Sequence, residues 1–435
     1  MTAADVAREL KRPVALWREA DPNMRRLIWI SFVEMLSVNA YFTLIVPFAK
    51  NLGLDSGSVG ALNSLMQVVS AVVAVAAGVL ADHFGRKRLY TAGQLMRVAI
   101  TVALLATHSY LGLALVFVLR GLASIQGPAQ SAITANLTRR ENRATMLGLS
   151  QTLGQLASVL MPIASGAVAD RYGVKASFAV ALVLAAVAVI MGIALKDKTA
   201  ASEDADPAAD GVTAGADVRT VESVRPGEVE PLLARLRRMF AGKRAVTLSL
   251  LMVATVFNGL GNGGVNILLP FTIMDRFSSA YTVVASAGSM MALGTMLVLL
   301  IGGRLADVSG RRTMVMTSGV IFPLLMLGLF YVNTLWELNL VLILVSMVGN
   351  ISSPAIGAVY MEAVADRDRA TFAGLQMSLN AAGMALGSAV AGVVYKMSPN
   401  WAWLGVIAVM VLQVVCYHFV LPHDGKRRAA ASPSL

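Results

Sequence analysis

The sequence is poor in what an enzyme site or a disulfide-stapled domain would need. One cysteine, Cys416, stands among 435 residues, which excludes an internal disulfide framework and a thiolate metal site. The four histidines, His83, His108, His418 and His423, have no acid or cysteine at ligand or nucleophile spacing. No metal centre and no nucleophilic catalysis is therefore predicted, and the chain is read as a non-enzyme without cofactor. No phosphate-binding loop ending in Lys-Ser or Lys-Thr occurs, which removes the usual sign of ATP as energy source. Charge is scarce too, at 14% against the roughly 25% of an average soluble chain.

What fills the sequence instead is apolar. Hydrophobic residues make up 57% and mean hydropathy is +0.68. A hydrocarbon core about 30 Å thick needs about 20 apolar residues per helix. Twelve such runs fall near 27–49, 59–81, 89–108, 111–134, 145–168, 176–195, 246–274, 281–303, 313–333, 336–361, 372–395 and 400–421. The expected fold class is all-α integral membrane, with twelve transmembrane helices in the lipid bilayer. The net charge of +11 does not form a nucleic-acid-binding face, because the cations cluster between the runs. With the N-terminus inside, 29 of the 36 Lys and Arg lie in inner segments, and only Lys50, Arg171, Lys175, Arg276 and Lys396 lie outside. That bias predicts a multi-pass protein of the inner or plasma membrane with both termini cytosolic. Residues 1–26 are polar and basic, without a small-residue cleavage site, and read as a cytosolic tail rather than a signal peptide.

The expected division is a tail at 1–26, a six-helix bundle at 27–195, a cytosolic linker at 196–245, a second bundle at 246–421 and a tail at 422–435. The linker opens with Ala, Asp, Glu and Gly, a composition that favours disorder. Near its end Leu232, Leu233, Leu236 and Phe240 share one helical face beside arginines. That face suits either a helix lying on the inner leaflet or a solvated charged linker.

The chain repeats itself. Gly78-Val79-Leu80-Ala81-Asp82-His83-Phe84-Gly85-Arg86-Lys87-Arg88 returns as Gly303-Arg304-Leu305-Ala306-Asp307-Val308-Ser309-Gly310-Arg311-Arg312, an offset of 225 residues (Gly78 to Gly303). Arg143-Ala144-Thr145 returns as Arg369-Ala370-Thr371 and Pro128-Ala129 as Pro354-Ala355, both at an offset of 226 (Arg143 to Arg369). Pro47-Phe48 matches Pro270-Phe271, which sets Asn39 opposite Asn262. Two bundles on one plan are the consequence.

The doubled loop resembles the loop between the second and third helices, and again between the eighth and ninth, of the major facilitator superfamily. The resemblance covers nearly the whole chain and implies two pseudo-symmetric six-helix bundles that transport by alternating access. It also implies that Asp82 faces the start of the eleventh helix near Ala370, and Asp307 the start of the fifth near Ala144, as gating contacts. The bland alternative is that the basic loops only fix topology. His83 stands where the family commonly has a basic residue. Glu362 is expected to pair with Arg311 or Arg312.

Inside the runs, few residues are ionisable. Glu34 lies about seven residues into the first run, flanked at helical spacing by Ser31, Ser37, Val38 and Tyr41. A carboxylate there is costly unless protonated, paired or facing water. It reads as a proton carrier or as the structural partner of Arg97 in the third run. Arg120, in the fourth, completes the proton-coupling set, in which protonation of Glu34 would release it. Family members that couple protons carry an arginine here followed by Gln-Gly, but Gln126 and Gly127 come later than in that pattern. The fifth run has Gly148, Pro162 and Gly166, resembling the family's antiporter motif with Ala157, Met161 and Ser165 replacing glycines. The eleventh has Gly374, Gly383, Gly387 and Gly392 without proline. Ordinary helix packing explains these small residues as well as antiport does.

Neutral polar residues are the candidates for a substrate cavity: Asn39, Tyr41, Gln126, Gln151, Asn258, Asn262, Asn266, Asn350, Gln376 and Asn380. Met290, Met291 and Met296 offer either an adaptable pocket lining or plain core. The reading is a monomeric secondary transporter exporting a small lipophilic or amphipathic molecule against protons. The first rival is a symporter or facilitator importing an organic anion through Arg97 or Arg120. A non-transporting membrane sensor with the same fold is more distant.

Overall fold

The computed structural model describes residues 22–84, 86–127, 130, 133–134, 143–193, 237–241, 245–309, 311–364 and 368–420, without the side chains of 75–86, 143–147, 299–311 and 370. All regular structure among them is helical. Twelve helices follow the twelve apolar runs: α1 (Pro22–Asn51), α2 (Ser56–Phe84), α3 (Arg86–Ala106), α4 (Tyr110–Ile125), α5 (Arg143–Tyr172) and α6 (Val174–Ile193) in the first half. The second half has α7 (Ala245–Arg276), α8 (Tyr281–Ser309), α9 (Arg311–Gly328), α10 (Leu335–Glu362), α11 (Arg369–Met397) and α12 (Pro399–Val420). Among the described residues ten are long and apolar enough to cross a membrane, and α4 and α9 give shorter apolar segments.

Local chemistry explains the irregularities. The helical segments of α1 are Pro22–Phe42 and Ile45–Asn51, and the break precedes Pro47, whose ring clashes with the carbonyl four residues back, at Thr43. The break in α10 falls between Ile351 and Ser353, with Pro354 in the first turn of the second segment. Pro270, the repeat counterpart of Pro47, instead sits inside an unbroken α7. The turn from α5 to α6 needs only Gly173, at φ +86°, a conformation open to glycine at little cost. α1 starts at Pro22, before its apolar run, and takes Arg25 and Arg26 into the helix.

Helices of each half pack mainly on one another, and the halves meet along α2 with α11 and α5 with α8. The short connections 52–55, 107–109, 173 and 277–280 lie at one end, called here the far end; Pro22, Ile193, Ala245 and Val420 lie at the near end. Toward the far end one apolar cluster runs through both halves, from Ala40, Leu44 and Phe48 to Phe271, Ala285 and Trp403. Toward the near end the described residues form two separate clusters, one around Met24, Leu27 and Tyr90, the other around Leu251, Tyr360 and Phe372. Of the linker, 237–241 are described. Met239 and Phe240 pack on the second of those clusters and Arg238 pairs with Asp368 at 3.1 Å. This piece thus docks on the protein; Leu232, Leu233 and Leu236 lie outside the described residues.

Candidate functional site

Three polar features stand out inside this apolar frame. The first surrounds Glu34. Its place on α1 faces α3, α4 and α6, and only 3% of its surface is exposed. Gln126 Nε2 donates to both carboxylate oxygens at 2.9 Å, Gln94 Nε2 to Oε1 at 2.7 Å and Tyr90 Oη to Oε1 at 3.3 Å. Arg97 does not reach the carboxylate. Its Nε donates to Gln126 Oε1 at 2.8 Å, so one amide stands between acid and base. Ser31 belongs to the same wall, its hydroxyl accepting from Gln130 Nε2 at 2.8 Å. The sequence reading gave Glu34, Arg97 and Gln126 but missed Tyr90 and Gln94. Their spacing with Arg97 (90, 94, 97) puts all three on one face of α3, which is the signal that would have found them.

Arg120 is not part of this network. Its guanidinium lies over Phe42 at 5.0 Å and Phe117 at 5.3 Å from the ring centres, a cation–π arrangement. It has no carboxylate partner among the described residues, so the expected Glu34–Arg120 switch is not what the geometry presents. Instead Arg120 lines a cavity of about 260 Å³ between the halves, with Phe42, Gln67, Asn266, Met291 and Met384. It is the one charged side chain among the described residues of that wall.

The third feature is a cavity of about 470 Å³ within the second half, which Asn258, Asn262, Asn350, Gln376 and Asn380 line together with Met291. Asn258 Oδ1 accepts from Asn262 Nδ2 and Asn380 Nδ2, each at 3.1 Å. The other cavity candidates fall elsewhere. Asn39 Nδ2 bonds Met35 O at 2.8 Å and Ser158 Oγ at 3.1 Å. Tyr41 is core at 3% exposure. Gln151 is exposed on α5, and Gln126 is committed to Glu34.

The far end carries the polar joints between the halves. Lys50 pairs with Asp275 at 2.5 Å and Lys396 with Asp55 at 2.7 Å. Asp170, at the end of α5, accepts from Tyr281 N at 2.8 Å, Thr282 N at 2.9 Å and Thr282 Oγ1 at 2.5 Å, capping the first turn of α8. The Lys396 ammonium and then the Ser58 N–H hold the Asp55 carboxyl below its usual range, at about 2. Below these, Ser56 Oγ donates to Gly392 O at 2.8 Å and Asn63 Nδ2 to Ser388 Oγ at 2.7 Å. A Cβ on Gly392 would collide with the Ser56 carbonyl, and one on Gly166 would lie 2.7 Å from Thr282 Cα. Both glycines therefore serve close contact between the halves. Gly383 and Gly387 do the same for α11 against α7, whereas added Cβ atoms at Gly148 and Gly374 meet nothing within 4 Å. Pro162 lies inside an uninterrupted α5.

The loop motifs fall largely outside the described side chains: Gly78, Asp82, Arg86, Gly303, Asp307 and Arg311, with Gly85 and Gly310 outside the described residues altogether. Lys87 and Arg312 are described and partly buried, and Glu362 is exposed at the end of α10. Among the described residues no group of His, Cys, Asp and Glu could hold a metal.

A family model described as the Major Facilitator Superfamily matches residues 27–255 and 251–434. The multidrug resistance protein MdtG of Citrobacter koseri is 23% identical over 354 residues, covering 77% of this chain and 79% of the relative. MdtG of Enterobacter lignolyticus is 23% identical over 358 residues, 78% of each. The crystal structure of the nucleoside transporter NupG superposes with a TM-score of 0.68 at 17% identity, covering 93% of this chain and all of the other.

Proposed function

This chain belongs to the Major Facilitator Superfamily of membrane transporters, and on that premise we propose that it exports a small lipophilic or amphipathic molecule in exchange for protons taken up at Glu34. The observation that carries this reading is the composition of the Glu34 shell. A carboxylate meant only for an ion pair would touch a cation; this one touches two amides and a phenol. An amide serves either protonation state, because its NH₂ donates to a carboxylate and its carbonyl accepts from a carboxylic acid. Gln94 Oε1 is buried without a partner, so rotation of that amide would supply the acceptor a protonated Glu34 requires. Protonation would also loosen Gln126, and with it the hold on Arg97.

The likeness to MdtG supports drug-like cargo and outward direction. With the near end cytosolic, the joined far end faces outside, and the separate near-end clusters of the described residues suit a state open inward. Alternating access would exchange these, the bundles rocking about the cavity that Arg120 lines.

Proteoliposomes holding the wild type and Glu34→Gln test this with cationic, neutral and anionic compounds. The expected result is compound-driven proton movement in wild type, opposite in direction to the compound, lost in Glu34→Gln. Transport persisting in Glu34→Gln without a proton signal would leave Glu34 a structural residue. The unpaired Arg120 favours a second reading, symport or facilitated uptake of an organic anion. Proton movement in the same direction as an anionic compound, lost in Arg120→Gln, would establish it instead.

A further inference from the structure

The two halves treat one internal position in opposite ways. At the repeat offsets, Tyr90, Gln94 and Arg97 of α3 correspond to Val315, Gly319 and Phe322 of α9. Gln126 and Gln130, just past the end of α4, likewise correspond to Ser352 and Ile356 of α10. In the first half these side chains fill the bundle with the network around Glu34. In the second, all five counterparts line the 470 Å³ cavity. Glycine for Gln94 and serine for Gln126 remove the atoms that would occupy it. The cavity is the hollow image of the proton site.

Its walls come from α9 and α12 as well as from α7, α10 and α11, with Phe322, Gln413 and Tyr417 among them, so it reaches inside the second bundle rather than lying only between bundles. Val265 and Met291 line both this cavity and the one beside Arg120, which makes the two neighbours with a shared wall. Among the described residues no charged side chain lines it. Among the same residues, the Asn258 amide donates to nothing, the Asn262 and Asn380 side-chain carbonyls accept nothing, and Gln376 has no hydrogen-bond partner. Three classes of occupant can be weighed. A charged group would lose its hydration and meet no counter-ion. A purely apolar group would leave these amides unpaired. An uncharged group bearing donors and acceptors on a ring satisfies the amides and packs on Phe322, Tyr360 and the methionines. The volume suits a drug-sized ligand.

We infer that the cavity inside the second bundle binds uncharged, hydrogen-bonding ring compounds, so that cargo is held in one bundle while the proton is held at the pseudo-symmetric place in the other. This rests on the transporter reading and names its cargo class.

The test is equilibrium dialysis of the purified full chain with three probes. They are 4-nitrophenyl glucoside, which is neutral, 4-nitrophenyl glucuronide, which adds a carboxylate to the same frame, and tetraphenylphosphonium, a lipophilic cation. The neutral probe should bind at least tenfold more tightly than either charged one. Gly357→Leu should weaken it at least tenfold: Gly357 lines the cavity, and an added Cβ there meets nothing within 4 Å, so the bulk enters open space. Gln376→Leu, which removes an amide without breaking a described bond, should weaken it as well. Thermal melts that match wild type confirm that both variants fold. No binding of the neutral probe, equal binding of glucoside and glucuronide, or unchanged binding in both variants would overturn the inference. Proton movement is read separately in proteoliposomes. Neutral-probe binding without proton movement fails antiport alone, whereas glucuronide-driven proton movement without neutral binding fails the cavity alone.

Discussion

Gln126 decides how an acid and a base share the interior of the first bundle. Its NH₂ reaches both Glu34 oxygens and its carbonyl holds Arg97, so opposite charges are coupled without touching. Direct pairing of buried ions is weak evidence for stability, since desolvation offsets the attraction, while removing one member is costly. Gln126→Leu keeps approximate volume and strips Glu34 of two hydrogen bonds. A loss of about 2–3 kcal/mol is expected from an under-satisfied buried carboxylate, read as a lower melting temperature in detergent. Adding Glu34→Gln should recover part of that loss, because the group left unsatisfied is then neutral. Additive losses in the double variant would mean that the two residues act independently. Arg120 shows the other solution to a buried cation, aromatic faces in place of a carboxylate.

The latches at the far end show how helices of different halves are tied. Under the repeat, Asp170 and Lys396 occupy corresponding positions at the ends of α5 and α11. Asp170 reaches across to cap α8 directly; Lys396 reaches across to Asp55, which caps its own helix through Ser58 N at 2.8 Å. The Asp55 carboxyl is lowered in the folded state, from 3.8 to about 2. Its contribution is therefore complete above about pH 4–5 and is lost as pH falls toward 2. Between pH 5 and 8 this joint does not titrate, so Lys396→Gln and wild type should show the same pH profile of transport across that window. Diverging profiles would place a titrating group at the far end. The helices themselves were legible in the sequence, because twenty-residue apolar runs leave a chain in lipid little other choice. The repeated prolines and loops gave the two-bundle plan. What could not be read was rotation about each helix axis. Glu34 had two arginines within plausible reach, and hydropathy does not say which face of α3 it meets. Tyr41, at the spacing of the polar stripe on α1, turns into the core. The hollow in the second bundle was equally hidden, since it arises from what Gly319 and Ser352 lack.

At the scale of the molecule, the buried apolar side chains among the described residues form one cluster that joins the halves toward the far end and two separate ones toward the near end. A transporter in which the halves rock must exchange this asymmetry, and the far-end joints set the cost of doing so. Asp170 accepts three hydrogen bonds at the start of α8, where a negative charge is also favoured by the aligned peptide dipoles. Asp170→Asn removes the charge but not the volume. Exposure weakens each term, leaving about 1.4 kcal/mol in sum, roughly a tenfold shift in the two-state ratio. Spin labels can read that shift in a Cys416→Ala background, on cysteines placed at the exposed Tyr172 and Met397 of the far end and at the exposed Gln151 and Met377 nearer the other end. In Asp170→Asn the first pair should gain a longer distance component and the second a shorter one, in matching proportion, because one rigid-body rocking moves both. Lengthening at the far end without shortening at the other would mean that the joint had frayed locally, and that the halves do not move as units. No change at either pair would mean that the Ser56–Gly392 and Asn63–Ser388 contacts, with the close approach of Gly392 to α2, hold the far end shut without the Asp170 cap.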